Sequence, residues 1–175
     1  MNRKCFMLQV SCFMIKDVVQ DPNPILHKIT LPISVFSFNT LNKLILDMKD
    51  TLKDQNGVGL AASQISESLS IFVIPDDLAP KVRTPRILFS LIKPLYPTVF
   101  INPEITYYSK EKETIEEGCL SIRGVFKPTQ RSYKVKIKAR DQRGRKLYIS
   151  AEGLLARVFQ HEIDHLNGIL FIERL

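Results

Sequence analysis

The six residues QHEIDH at positions 160–165 decide how the rest of this chain is interpreted, because they contain the pattern H-E-x-x-H. Residues four apart lie on the same face of an α-helix, so His161 and His165 can present two imidazoles to one metal ion. Glu162 then lies beside the metal, where a general base can take a proton from a metal-bound water. The sequence therefore predicts a metal-binding helix with a carboxylate next to the metal.

The flanks of this motif also favour a helix. Ser150 can cap its start, and Asn167-Gly168 is typical of a helix end. Two histidines and a glutamate on an exposed helix can be ordinary surface, but the apolar residues that flank the motif indicate burial here: Leu154, Val158, Ile163 and Leu166. Buried His and Glu side chains need polar partners, and a metal ion supplies them.

Two histidines do not complete a catalytic metal site, which usually takes three protein ligands and keeps one position open. The metzincin pattern places a third histidine where this chain has Phe171. A zinc endopeptidase, the competing enzyme class, would need that downstream ligand. We therefore expect the third ligand upstream, and the best candidate is Cys119 in EEGCLS at 116–121, beside Gly118, which lets the backbone approach closely.

Length and composition predict one globular domain, since 175 residues with 45% apolar and 25% charged content can bury a core. The net charge of +7 is spread along the chain, which permits contact with RNA or a ribosomal surface but is also typical of a basic, solvated surface. The three cysteines are Cys5, Cys12 and Cys119, without a C-x-x-C spacing. A reducing compartment is expected, and a thiolate ligand would need one.

The N-terminus differs from the rest of the chain. Residues 1–13 have a basic start and an apolar stretch, interrupted by Gln9 and Ser11. We interpret them as an N-terminal extension before a domain at 14–175, either an extra strand or an over-long start, with a targeting segment as the alternative. No apolar run approaches the roughly 20 residues of a membrane span, and neither a membrane nor a DNA partner is expected.

The remaining pattern indicates an α+β fold. Asn39-Thr40 begins an amphipathic helix that ends at Asn56-Gly57, strands are predicted at 70–75 and 99–105, and a hairpin at 134–150 leads into the metal helix. Residues 76–98 are proline-rich and predict a loop that carries a short hairpin or a helical turn. We expect a mixed or antiparallel sheet wrapped around a central C-terminal metal-binding helix.

Three separated stretches together resemble the signature motifs of the peptide deformylases, in the same order. They are GVGLAASQ at 57–64, EGCLS at 117–121 and QHEIDHLNG at 160–168. The resemblance runs from about Met14 to the C-terminus and implies hydrolysis of the N-formyl group from the formylmethionine of newly made polypeptides. It also implies a location in the bacterial cytoplasm, with an organelle as the alternative.

The resemblance implies a role for each matching residue. The metal ligands would be Cys119, His161 and His165, and the ion would be Fe(II), with zinc, nickel or cobalt as substitutes. Glu162 would be the general acid/base. The developing oxyanion would be held by the Gln64 amide and the Leu120 backbone N–H, and Gly59 would lie against the substrate backbone.

Four apolar residues would line a pocket for the methionine side chain, although they could equally be core: Val58, Ile115, Leu154 and Val158. Asp164 is expected to face away from the metal and to pair with a basic residue such as Arg131. Arg123 departs from the family, which often has proline there. The competing non-enzyme interpretation is an inactive binding module at the ribosome, but a merely structural metal needs neither Glu162 nor Gln64.

Overall fold

Seven strands and two α-helices form the part of the chain that the computed structural model describes, residues 14–34, 38–81 and 97–174. The predicted extension 1–13 and most of the stretch 76–98 lie outside these residues. The elements, in chain order, are α1 (Phe38–Asp54), β1 (Leu60–Ala61), β2 (Ile71–Val73), β3 (Val99–Tyr108), β4 (Lys112–Cys119), β5 (Ile122–Ser132), β6 (Lys134–Arg140), β7 (Lys146–Glu152) and α2 (Gly153–Leu166).

The strands form two sheets, and this confirms the predicted α+β class. Five strands pair in the order β1-β2-β3-β6-β7, and β4 and β5 form a separate two-stranded hairpin. Every pairing between these strands is antiparallel. The predicted amphipathic helix is α1 and the predicted hairpin at 134–150 is β6–β7. The helix α2 follows β7 directly, so it folds back onto the sheet that precedes it.

The five-stranded sheet buries a different set of side chains on each face. Phe72 and Phe100 stack with ring centroids 4.7 Å apart and meet Phe159 of α2 on one face. Their neighbours Ile71 and Val73 point to the opposite face, where α1 packs. Side chains alternate across a strand, and each face of β2 packs against one of the two helices. The strand is therefore buried on both faces, which explains its continuous apolar sequence.

The start of α2 differs from the prediction. Ser150 lies within β7, and the helix begins at Gly153, three residues later. Gly153 has a φ of +57°, which glycine adopts without the steric cost other residues have, and allows the chain to turn from strand to helix. The predicted end at Asn167-Gly168 is confirmed, since Gly168 has a φ of +71° and packs against the backbone of His27. No helix among the described residues is long and apolar enough to cross a membrane.

Candidate metal and catalytic site

Two elements bring the three predicted metal ligands together. His161 and His165 are one turn apart on α2, with ring centroids 4.9 Å apart, and Cys119 ends β4. One ligand atom from each residue lies within 4.8 Å of the others, and Cys119 Sγ is 3.1 Å from His165 Nε2. The hairpin therefore supplies a sulfur and the helix supplies two nitrogens to one point.

This donor set fits a divalent metal ion. Imidazole nitrogens and a thiolate sulfur are donors that divalent transition-metal ions accept, and here the three donor atoms lie within 4.8 Å of one another. Burial lowers the pKa of His165 well below its usual value, so its imidazole stays neutral and can coordinate. Burial also lowers the pKa of His161, but hydrogen bonds with Cys119 and Glu117 outweigh it and raise the pKa to about 10. A metal ion would displace the proton that His161 then carries.

The carboxyl group of Glu162 lies beside these ligands without being one of them. Its side chain is 3% exposed, and its Oε2 has no hydrogen-bond partner among the described residues. Burial raises the pKa of Glu162 to about 7. Gly59 faces this carboxyl group so closely that a Cβ there would lie 2.7 Å from Glu162 Cδ. The arrangement provides a group that can accept and return a proton near neutral pH.

Glu117 contacts His161 on the side away from the other ligands, a role that the sequence did not predict. Its Oε2 is 3.1 Å from His161 Nδ1, which leaves His161 Nε2 for the metal. Burial raises the pKa of Glu117, but hydrogen bonds from His161 and Arg131 outweigh it and lower the pKa to about 2. A usable signal was present, because ligand histidines usually donate their second N–H to a carboxylate and Glu117 lies two residues before Cys119.

The predicted pairing of Asp164 with Arg131 is confirmed, because the Arg131 guanidinium donates to the Asp164 carboxylate. Arg131 also donates to both oxygens of Glu117, at 3.0 and 2.9 Å. Arg174 binds Asp164 from the C-terminal side. Asp164 therefore faces away from the metal ligands and links α2 to the strand β5.

The side chain of Gln64 is held next to the predicted metal ligands by a hydrogen bond from the backbone three residues earlier. Its Oε1 accepts from the Ala61 N–H at 2.8 Å, and its Nε2 points toward Ser121 Oγ at 3.2 Å and Cys119 Sγ at 3.6 Å. Leu120 occupies the two-residue turn between β4 and β5, where its carbonyl accepts from Gln20. Both residues line the same cleft as Cys119 and His161.

The cleft beside the metal ligands has a volume of about 420 Å³. Its lining includes Val58, Gly59, Leu154 and Val158 from the sequence analysis. Ile115 lies outside the lining residues and is 46% exposed, because it is two residues farther from Cys119 along β4 than Glu117. Phe126 also lines the cleft, with its ring packed on Gly118. Arg123 is exposed and does not line it.

Comparisons with known proteins agree on one family. The family model described as polypeptide deformylase matches residues 15–175. A peptide deformylase of Carboxydothermus hydrogenoformans is 45% identical over 157 residues, which are 90% of this chain and 91% of that protein. The crystal structure of a Legionella pneumophila peptide deformylase is similar with a TM-score of 0.77 and 40% identity, covering 93% of this chain and 86% of that one. A Met-Ala-Ser-bound Acinetobacter baumannii peptide deformylase has a TM-score of 0.77 and 33% identity, covering 93% and 99%.

Proposed function

The chain belongs to the peptide deformylase family of metal-dependent hydrolases, and we propose a role for each of its site residues in the hydrolysis that removes the N-formyl group from nascent peptides. The proposal is supported by the buried carboxyl group of Glu162 beside the Cys119, His161 and His165 cluster, since its Oε2 has no hydrogen-bond partner in the described part of the chain. A purely structural metal site has no use for such a group. The inactive-module alternative is therefore not supported.

A divalent ion held by the three ligands would polarise the formyl carbonyl and lower the pKa of a water toward about 7. We propose Fe(II) as the ion in the cell, with zinc, nickel and cobalt as substitutes, since imidazole and thiolate donors accept all of them. An Fe(II)–thiolate pair is prone to oxidation, so activity should be lost in air.

Glu162 moves the protons of the reaction. Its carboxylate accepts a proton from the water that attacks the formyl carbon, and it returns this proton to the leaving amine as the C–N bond breaks. The products are formate and a free methionine amino group. The buried position keeps bulk water from competing for the proton, and the pKa of about 7 suits both steps.

Gln64 and Leu120 stabilise the negative charge on the formyl oxygen in the transition state. The Ala61 N–H holds the Gln64 amide in one orientation, so its Nε2 is aimed before the substrate arrives. The backbone N–H of Leu120 is the second donor, from the turn that follows Cys119. Fixed donors of this kind contribute on the order of 10²–10³ in rate.

The apolar part of the cleft receives the methionine side chain. Val58, Leu154 and Val158 line it, and Val158 is buried one turn before His161 and Glu162 on α2. Gly59 leaves room for the substrate backbone next to Glu162. Ile115 lies outside the lining residues, and no substrate contact is proposed for it.

Formylmethionyl nascent peptides are the substrate class, and a transient ribosome contact would bring the enzyme to them. The net charge of +7 supports such a contact, because ribosomal RNA is polyanionic. We propose that the protein works where these peptides are made, in the bacterial cytoplasm.

Formate release from formyl-Met-Ala-Ser tests the proposed function. The protein is purified without oxygen, loaded with Fe(II), and its metal content is measured before the assay. We expect formate release that follows metal content and stops after chelation. A protein that carries one metal per chain and releases no formate would contradict the proposal.

Replacing Gly59 by alanine should lower kcat/KM for this peptide about 100-fold. The new Cβ would lie 2.7 Å from Glu162 Cδ and 2.9 Å from Glu162 Cγ, so the carboxyl group must move. Misplacing a catalytic group by about 1 Å can cost this much. The φ of Gly59 is outside the left-handed region, so alanine itself is not strained there. Metal content and melting temperature should stay near those of the parent, and an unchanged kcat/KM would contradict the close approach.

A further inference from the structure

Arg157 is a buried charged residue without a role in the proposed chemistry. It lies on α2 one turn before His161 and is 6% exposed. Arginine is almost never buried to this extent unless it is paired. Here its Nη1 donates to Glu117 Oε1 at 2.6 Å and to the Thr129 carbonyl at 2.9 Å, and its Nη2 donates to the Glu113 carbonyl at 2.8 Å.

The acceptors of Arg157 all belong to the β4–β5 hairpin. Glu113 and Glu117 are on β4, and Thr129 is on β5. This hairpin carries Cys119, whereas α2 carries both ligand histidines. No backbone ladder among the described strands joins the hairpin to the five-stranded sheet. Side-chain contacts between hairpin and helix therefore help to determine where the sulfur lies relative to the two imidazoles, together with the hydrogen bonds that Asp21 and Gln20 donate to the turn after Cys119.

Glu117 connects Arg157 to His161, one of the proposed metal ligands. Its Oε1 accepts from both Arg157 and Arg131, and its Oε2 accepts from Arg131 and faces His161 Nδ1 at 3.1 Å. The two guanidinium groups fix the carboxylate, and the carboxylate fixes the ring orientation of His161. Partners of this kind typically change metal affinity by about 10- to 100-fold when they are removed.

We propose that Arg157 is a positioning residue that clamps the β4–β5 hairpin to α2 and, through Glu117, holds His161 in the orientation that binds the metal. Arginine suits this task because one planar guanidinium reaches three acceptors on two strands, which a lysine ammonium on a flexible stem cannot hold as firmly. The proposal rests on the metal site of the proposed function, not on its reaction.

Cobalt-loaded protein gives a readout that does not depend on activity. The variants are Arg157→Met, which keeps the apolar stem, and Arg157→Lys, which keeps the charge. Arg157→Met should release cobalt to a chelator at least tenfold faster than the parent and should alter the visible absorption of the cobalt site. Arg157→Lys should recover part of the release rate, and the metal-free melting temperature separates this effect from a general loss of stability.

Arg174→Met is the matched control. Arg174 also donates to a carboxylate of α2, but that carboxylate belongs to Asp164, which faces away from the ligands. This variant should lower the melting temperature without changing cobalt release or absorption. If Arg157→Met behaves in the same way, Arg157 is merely structural and the proposal is overturned.

Glu117→Gln, alone and combined with Arg157→Met, tests the route through Glu117. If Arg157 acts through this carboxylate, the double variant releases cobalt little faster than Glu117→Gln alone; fully multiplicative effects would overturn that route. Should Arg157→Met fail to fold, Arg157→Lys and Glu117→Gln provide the comparison. Faster cobalt release from a protein that never cleaves formyl peptides would contradict the proposed function and leave the role of Arg157 standing.

Discussion

Replacing Glu162 by glutamine is expected to lower kcat/KM for formyl-Met-Ala-Ser by about 10²- to 10⁴-fold while the metal stays bound. Glutamine keeps the size of the side chain but can neither accept the proton of the attacking water nor return it to the amine. The three ligands are untouched, so metal content should equal that of the parent. Formate release and elemental analysis of the same sample measure both quantities.

A matched substitution elsewhere makes this result specific. Glu152→Gln removes an exposed carboxylate that pairs with Lys134 at the end of β7, away from the cleft. It should leave kcat/KM within a factor of about two, since exposed ion pairs contribute little. If Glu162→Gln kept most of its activity, another group would have to move the protons. If it lost its metal, Glu162 would be acting in metal retention.

Replacing Cys119 by serine should leave a protein that does not retain its metal through gel filtration and has no activity above that of the chelated parent. Serine is nearly isosteric, but its hydroxyl stays protonated at neutral pH and is a poor ligand, whereas the thiolate brings a negative charge and a soft donor. Two histidines alone leave the site one ligand short. Metal content after desalting and formate release are the measurements.

The other two cysteines supply the control for that experiment. A variant with Cys5→Ser and Cys12→Ser removes the remaining thiols of the chain and should keep both metal and activity. If this control lost its metal while Cys119→Ser retained it, the sulfur ligand would be Cys5 or Cys12 and not Cys119. Retention in both would show that the ion does not need a thiolate.

The two histidines of the candidate metal site could be predicted from the sequence because their signal is local. His161 and His165 are four residues apart on a strongly periodic helix, and this spacing alone places them on one face. The helix α1 was predicted from the same kind of periodicity. The end of α2 at Asn167-Gly168 followed from a short-range signal as well, since few residues besides glycine adopt a positive φ easily.

Long-range contacts limited the rest of the prediction. The strands β4 and β5 were not predicted as a long hairpin, because most of their side chains are exposed and lack a continuous apolar face. Arg157 occupies a position where a charge normally indicates solvent, and only the folded chain brings acceptors from 28 and more residues away to it. Ser150 was a plausible cap, but the pairing of β6 with β7 continues to Glu152.

The separation of the two sheets has a consequence for how the molecule opens. Proteins open in cooperative units that often coincide with supersecondary motifs, and the β4–β5 hairpin has its own backbone ladder. It can leave the helix without breaking a single strand pairing of the larger sheet. An ion coordinated by both parts would add to the Arg157 and Arg131 contacts that join them, so oxidation of the Cys119 sulfur would weaken the attachment of the hairpin and leave the aromatic core folded.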